Sequence, residues 1–272
     1  MEEKHSAIII GISSDIGMAL TQRWLDRGYG IFGTYRTESD AVSEIKSKGV
    51  NLIDCNVSDP VSIRDACRKI KKLCPAWDIL VICSASLEPI DFFIESTFED
   101  WENSVKLNFI NQMQIIYELL PIRRTGSMLG SRVLLFSGGG INDAPTNYSA
   151  YTISKIAAVK MCELLAAEIP DTGFTSIGPG WVKTKIHDQT LKAGRKAGSN
   201  YRRTLEKLKT GDFTPMEHVL DCCDWVVDAP KEVVSGRNIN VVHDNWGNKV
   251  FERELAEDRH LFKLRKYGSI KK

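Results

Sequence analysis

Along this chain, short apolar runs rich in β-branched residues alternate with longer stretches whose apolar positions recur every three or four residues. Residues 7–10, 29–35, 51–56, 78–84, 132–137, 174–180 and 235–242 form the first kind of run, and read as buried strands. Residues 18–25, 61–73, 98–120, 149–168 and 215–227 form the second kind, and read as amphipathic helices. Strand and helix alternate throughout, which predicts one doubly wound α/β fold: a parallel seven-stranded sheet with helices on both faces, Rossmann-like, over residues 1–272 as a single domain. Asn108 stands in the middle of the 98–120 pattern, and a kink in that helix would account for it as well as a surface position would.

Composition narrows the class. The chain has 272 residues, enough for a substantial core, and its 43% hydrophobic content is ordinary for a globular protein. A formal net charge of +1 gives no global reason to expect nucleic acid or an anionic membrane as partner. No run is apolar enough to span a bilayer, and the start, Met1-Glu-Glu-Lys-His-Ser, lacks a signal-peptide pattern. The seven cysteines are scattered without Cys-x-x-Cys spacing and the five histidines are dispersed, so reduced thiols, a cytoplasmic location and no metal site are expected.

Candidate chemistry begins with Tyr148-Ser-Ala-Tyr151-Thr-Ile-Ser-Lys155. Tyr151 and Lys155 lie one helical turn apart, where an ammonium can pull the phenol's pKa toward neutrality and make it a usable acid or base. The strand at 7–10 runs into Gly11-Ile-Ser13-Ser14-Asp15-Ile16-Gly17 and then a helix, the context of a phosphate-binding loop. A plain βα turn uses glycine too. The second strand ends in Arg36 with no carboxylate before Glu38, which favours the 2′-phosphate of NADP(H) over NAD(H); a solvated arginine is the alternative. Ser137 sits at the carboxyl end of the fifth strand, beside Gly138-Gly-Gly140.

Taken together, residues 6–243 resemble the short-chain dehydrogenase/reductase family. Gly11 to Gly17 is similar to its cofactor loop, Asn56-Val57 to its adenine-side Asp-Val, and Ser84-Ala85 falls where its Asn-Asn-Ala-Gly loop does. Asn108 is similar to its helical asparagine, Tyr151 and Lys155 to its catalytic pair, and Pro179-Gly180 with Val182 and Thr184 to its Pro-Gly-x-x-x-Thr segment. The resemblance implies that Tyr151 exchanges a proton with the substrate oxygen. Lys155 would lower its pKa and hold the nicotinamide ribose, a serine would bind the substrate oxygen, and Asn108 would anchor a water relay to Lys155. It also implies homodimers or homotetramers built on the helices that carry Asn108 and Tyr151.

The chain departs from that pattern at several points. Asp15 replaces the loop's central glycine, and is expected to point away from the pyrophosphate, capping the helix through its side chain. The family serine lies 13 residues before the tyrosine, where this chain has Gly138, so Ser137 takes the role here, with Thr146 or Ser149 as alternatives. Residues 181–214 form a long segment that in this family covers the substrate. Between Lys185 and Lys209 it carries Lys185, Lys192, Arg195, Lys196, Arg202, Arg203, Lys207 and Lys209 against Asp188 and Glu206. That excess favours an anionic small-molecule substrate such as a phosphorylated, carboxylated or nucleotide-linked sugar, although a solvated helix would look the same. The extension 243–272 is too apolar for a free tail, and its Trp246, Phe251, Leu255, Leu261, Phe262 and Leu264 are expected to pack on the body or on another subunit. The reading is an NADP(H)-dependent oxidoreductase acting on a carbonyl/alcohol pair, in carbohydrate metabolism. A non-catalytic NADP(H)-sensing protein of the same fold is the rival. A nucleic-acid binder is disfavoured, because Tyr201 is the one aromatic between residues 185 and 209.

Overall fold

Each apolar run becomes a strand of one sheet, because a strand buried on both faces needs apolar side chains at every position. The structure is a computed structural model that describes residues 5–126 and 130–266. The strands are β1 (Ser6–Ile10), β2 (Gly30–Tyr35), β3 (Asn51–Asp54), β4 (Ile79–Ile82), β5 (Ser131–Phe136), β6 (Thr172–Gly178) and β7 (Arg237–Asn240). They are all parallel, in the order β3-β2-β1-β4-β5-β6-β7. The order reverses between β1 and β4, and ligands of open α/β sheets bind beyond the carboxyl ends of strands at such a point. The last strand is shorter than the 235–242 expected: Val241 N still donates to Gly178 O at 2.8 Å, and the chain then turns into the loop that carries Trp246.

Successive side chains of β1 go to opposite layers. Ala7 and Ile9 join Leu20 and Trp24 of α1 (Asp15–Asp26), while Ile8 and Ile10 join Ile63 and Ile70 of the helix Pro60–Leu73. The helix Asp40–Ser47, absent from the sequence reading, buries only Val42 and Ile45, too few positions to stand out as a period; with it numbered α2, Pro60–Leu73 is α3. The first layer also takes α9 (Met216–Asp228) and α11 (Lys249–Glu257), and the second takes α5 (Asn111–Leu119) and α6 (Ser149–Glu168). The remaining helices are α4 (Phe98–Val105), α7 (Ile186–Ala193), α8 (Ser199–Thr210) and the single turn α10 (Lys231–Val234).

The tail packs on its own chain. Phe251 and Leu255 are buried, and Trp246, Leu261 and Phe262 pack against the same layer. The buried Arg237 guanidinium donates to the carbonyls of Asp258 and Leu261, and Asn238 N–H donates to Phe262 O, which ties the tail to the edge of β7. Residues 267–272 of the expected extension lie outside the described residues, as does the start, Met1 to Lys4.

The expected kink is present as a π-helical turn, Lys106–Ile110, between α4 and α5. Asn108 lies within it, fully buried. A π turn widens the backbone spiral and re-aims side chains, and such turns are frequent at functional sites.

Candidate active site

The carboxyl ends of the strands open into a cleft of about 1890 Å³. Three amides from the π turn and α5 brace its floor. Asn108 Nδ2 donates to Ser86 O at 2.8 Å and to Ser104 O at 3.0 Å, while its Oδ1 accepts from Ser86 N. Gln112 Nε2 donates to Ser84 O at 2.9 Å, and Asn111 Nδ2 to Val57 O at 2.7 Å. The loops that follow β3 and β4 are therefore held from below by side chains of one helix. Asn111 and Gln112 were not picked out in the sequence; buried amides on an otherwise apolar helical face were the available signal. Both donors of the Asn108 amide are spent in this bracing, which leaves one lone pair on Oδ1 and the backbone carbonyl as acceptors.

The glycine-rich loop has the shape a phosphate cradle needs. Gly11 has φ +77°, and a Cβ there would come within 3.0 Å of Ser84 N. A Cβ on Gly17 would meet Gly11 O at 2.6 Å, so glycine is the residue that lets α1 start this close to β1. The N-cap of α1 is Ser14, whose Oγ accepts from Gly17 N. The Asp15 carboxylate instead crosses the cleft and accepts from Lys185 N at 2.8 Å, which corrects the expectation that it caps its own helix.

Gly11, Ser13, Ser14, Asp15, Ile16, Arg36, Asn56, Val57, Ser84, Ala85, Pro179, Gly180, Val182 and Thr184 all line the cleft; Gly17 lies just behind it. Ser84 Oγ is buried with no hydrogen-bond partner among the described residues. Arg36 is exposed at the rim, with no ion pair among the described residues, and Glu38 beside it is the main cause that raises the Tyr35 pKa. Asn56 Oδ1 accepts from Ser58 N in a local turn. These features fit a dinucleotide: a tight glycine turn at a helix N-terminus, unsatisfied hydroxyls along the floor, and a free guanidinium at the edge.

Tyr151 and Lys155 project from the first turns of α6 into the same cleft. Lys155 is 3% exposed, and its ammonium donates to Phe136 O at 2.8 Å. An ammonium has three donors, so two remain for whatever occupies the cleft. Burial pushes the Lys155 pKa down to about 8 and, contrary to the expectation from the Tyr-Lys spacing, pushes Tyr151 up to about 12. The reason is geometric. Lys155 Nζ stands over the Tyr151 ring, 5.6 Å from its centroid, rather than against the phenolic oxygen, so loss of water dominates both groups.

Ser137 also lines the cleft, 4% exposed, with an Oγ that has no hydrogen-bond partner among the described residues. At Gly138 an added Cβ would lie 2.7 Å from the Tyr151 hydroxyl, so Tyr151 occupies the room a serine at that position would need. Thr146 and Ser149 are not in the cleft lining, and Ser149 Oγ accepts from Trp101 Nε1 on α4.

The covering segment folds as α7, a 3₁₀ turn and α8. Gln189, not foreseen in the sequence, fastens it by accepting from Leu87 N at 2.6 Å. Much of its basic excess is neutralised by carboxylates: Lys196 pairs with Asp91 at 2.6 Å, Lys192 with Glu88 at 3.9 Å, and Lys207 with Asp212. Lys185, Arg203 and Lys207 line the cleft, and Arg202 does not.

Residues 11–242 match the family model described as enoyl-(acyl carrier protein) reductase. The chain belongs to the short-chain dehydrogenase/reductase family. This family member is 23% identical over 248 residues to the 3-oxoacyl-[acyl-carrier-protein] reductase FabG of Escherichia coli (strain K12), covering 88% of this chain and 96% of the relative. It is 24% identical over 218 residues to a 3-amino-tetrahydro-pyrrolizinone reductase of Xenorhabdus hominickii, covering 77% and 73% of the two chains. A solved short-chain dehydrogenase/reductase of Saccharomyces cerevisiae shares its fold with TM-score 0.77 at 17% identity, over 96% of this chain and 100% of that one. An actinorhodin polyketide ketoreductase solved with NADPH gives 0.74 at 20% identity, over 89% and 97%. As a short-chain dehydrogenase/reductase, the protein is an NAD(P)-dependent oxidoreductase, and no described helix is long and apolar enough to cross a membrane.

The dry site makes a direct prediction. Burial disfavours the ammonium, so Lys155 should titrate near 8 rather than at its ordinary 10.5. The unfolded chain binds that proton over the whole interval, so this group adds stability as pH rises from about 8 to 10.5. NMR of isotope-labelled lysine, assigned with Lys155→Met, would show the low titration; a midpoint above 10 would mean that water reaches the ammonium.

Proposed function

We propose that this short-chain dehydrogenase/reductase is an NADP(H)-dependent carbonyl reductase, with Tyr151 as the proton donor. The observation that carries the reading is the shared cleft: the Tyr151 hydroxyl, the buried Lys155 ammonium and the unpartnered Ser137 hydroxyl all open into the space bounded by the glycine-rich loop. The bound nicotinamide supplies the hydride. Tyr151 keeps its proton across the neutral range, since its pKa is pushed up to about 12, which suits donation to a carbonyl oxygen as that oxygen gains charge. Ser137 Oγ donates a hydrogen bond to the same oxygen. Lys155 holds the nicotinamide ribose through its remaining donors, anchored meanwhile on Phe136 O. A sensor of the same fold would need neither the tyrosine proton nor a buried lysine beside it.

NADP(H) is preferred because Arg36 is free at the rim and no carboxylate competes for the adenosine ribose there. Two structural neighbours solved with NADPH support the same preference. For the substrate, the named relatives are reductases of oxoacyl and related carbonyl compounds, and none is named for a sugar. The substrate class is therefore an anionic carbonyl compound, met by Lys185 and Arg203 at the cleft wall.

The protein assembles as a homo-oligomer in the cytoplasm through the helices that follow the cleft floor. Ile110 and Tyr117, seven residues apart on one face, are 51% and 77% exposed, and Ile153 and Leu164 of α6 are 48% and 45% exposed. Rows of exposed apolar residues on adjacent helices are unusual on a monomer.

Tyr151→Phe should lower turnover of a responsive carbonyl compound by about 100-fold or more, the scale of general acid catalysis, with NADPH affinity intact in a fluorescence titration. The same titration should show much tighter binding of NADPH than NADH, and Arg36→Ala should erase the difference; equal affinities in the wild type would remove the NADP(H) assignment. Arg203→Glu is expected to raise KM for an anionic carbonyl substrate without moving NADPH affinity, and parallel loss of both would defeat the anionic reading. Light scattering should show a multiple of the 30.5 kDa chain mass that Tyr117→Glu with Ile153→Arg reduces to the monomer. A wild-type monomer at micromolar concentration would rule out this interface.

A further inference from the structure

The Asp15 carboxylate is not used by the helix it begins. Ser14 already caps α1, and among the described residues the one hydrogen bond of the Asp15 side chain runs to Lys185 N, 170 positions away. Lys185 is the residue from which α7 starts, and no side chain of its own caps that helix. The carboxylate thus lies between the N-termini of α1 and α7, where both macrodipoles favour negative charge. Elsewhere the covering segment is tied to the substrate side of the cleft: Gln189 to Leu87, Tyr148 to Thr190 at 3.1 Å, Asn147 to Lys196 O at 2.5 Å, and Lys196 to Asp91. The bond from Asp15 joins the segment to the dinucleotide loop.

We propose that Asp15 is a positioning residue that straps the start of the covering segment, residues 181–185, to the glycine-rich loop across the mouth of the cleft. The proposal rests on the reading of that cleft as a dinucleotide site in one respect only: a carboxylate at this place opposes the charge of a pyrophosphate cradled by α1. The strap therefore has two separable parts. The oxygen acceptor holds residues 181–185 in place, and the charge holds cofactor affinity below what the cradle alone would give.

Asp15→Asn keeps an oxygen acceptor and removes the charge, whereas Asp15→Gly removes both. The full-length protein and both variants would be digested briefly with trypsin, and cuts after Lys183 and Lys185 measured against cuts after Lys192, Arg195 and Lys196 in the same chains. Asp15→Gly should speed the first pair about fivefold relative to the second, the effect of one net hydrogen bond, and Asp15→Asn should restore the wild-type ratio. NADPH titration should show both variants binding about fivefold tighter at low salt, with the gain shrinking at 0.5 M salt as screening sets in. With a turned-over carbonyl compound at saturating NADPH, Asp15→Gly should raise KM relative to Asp15→Asn. An unchanged digestion pattern in Asp15→Gly, or equal acceleration in both variants, would overturn the strap; weaker NADPH binding in both would overturn the role of the charge. Failure of the wild type to bind NADPH would defeat the dinucleotide reading instead, and the digestion ratios would still judge the strap.

Discussion

An ammonium held almost without water is the constraint around which this cleft is built. Lys155 reaches the end of the sheet from α6, and its nearest compensation is a backbone carbonyl at the last residue of β5. A buried cation with a single carbonyl partner is costly unless its remaining donors are met, and burial has already moved its pKa down to about 8. The sheet can hold it only because the polar groups at the strand ends are otherwise fixed. A floor that moved would let water in, and the ammonium would lose the environment that sets its pKa.

That rigidity comes from the amides of one helix. β3 and β4 stop short, and their following loops carry backbone groups that no ladder satisfies. The π turn aims Asn108 at Ser86, and α5 presents Gln112 to Ser84 and Asn111 to Val57. In a regular α-helix running through Lys106–Ile110, Asn108 and Gln112 would sit one turn apart on one stripe. The widened turn shifts that phase, and Asn108 can brace the Ser86 loop while also satisfying Ser104 O on its own helix. A residue that weakens helices is thus placed where the helix has to be irregular.

Much of this could be read from the chain beforehand, because it depends on local periodicity. Seven apolar runs alternating with helical patterns fix a parallel doubly wound sheet, and the glycine loop and the Tyr151–Lys155 turn are short-range features of single elements. The helix Asp40–Ser47 escaped because two buried residues make no recognisable period. What stayed hidden depends on pairs distant in sequence. The basic excess of residues 185–209 is partly paired by Glu88 and Asp91, far upstream, which meet Lys192 and Lys196 and leave Lys185 and Arg203 at the cleft wall. The Tyr151 pKa went the other way from the spacing argument because spacing gives the turn of a helix and not the direction of a lysine's last bonds. Asp15 was seen as an odd residue in a phosphate loop, and its partner at Lys185 could come only from the fold.

The displaced serine is the point at which local and distant constraints meet. A Cβ at 138 would come within 2.7 Å of the Tyr151 hydroxyl, so glycine there lets the phenol lie directly against the backbone after β5. On the proposed reading, the hydroxyl that meets the substrate oxygen then comes from the neighbouring Ser137. Ser137 continues the ladder by donating to Ile177 O, which fixes its backbone, and its Oγ lies about 3.2 Å from where a Cβ on Gly178 would stand. Gly178 therefore leaves the space into which that hydroxyl turns. The absence of a side chain at 138 brings Tyr151 in, and the absence of one at 178 leaves room for Ser137. A buried hydroxyl without a partner costs about 1–3 kcal/mol, and on the proposed reading a carbonyl oxygen placed between Ser137 and Tyr151 would recover that cost.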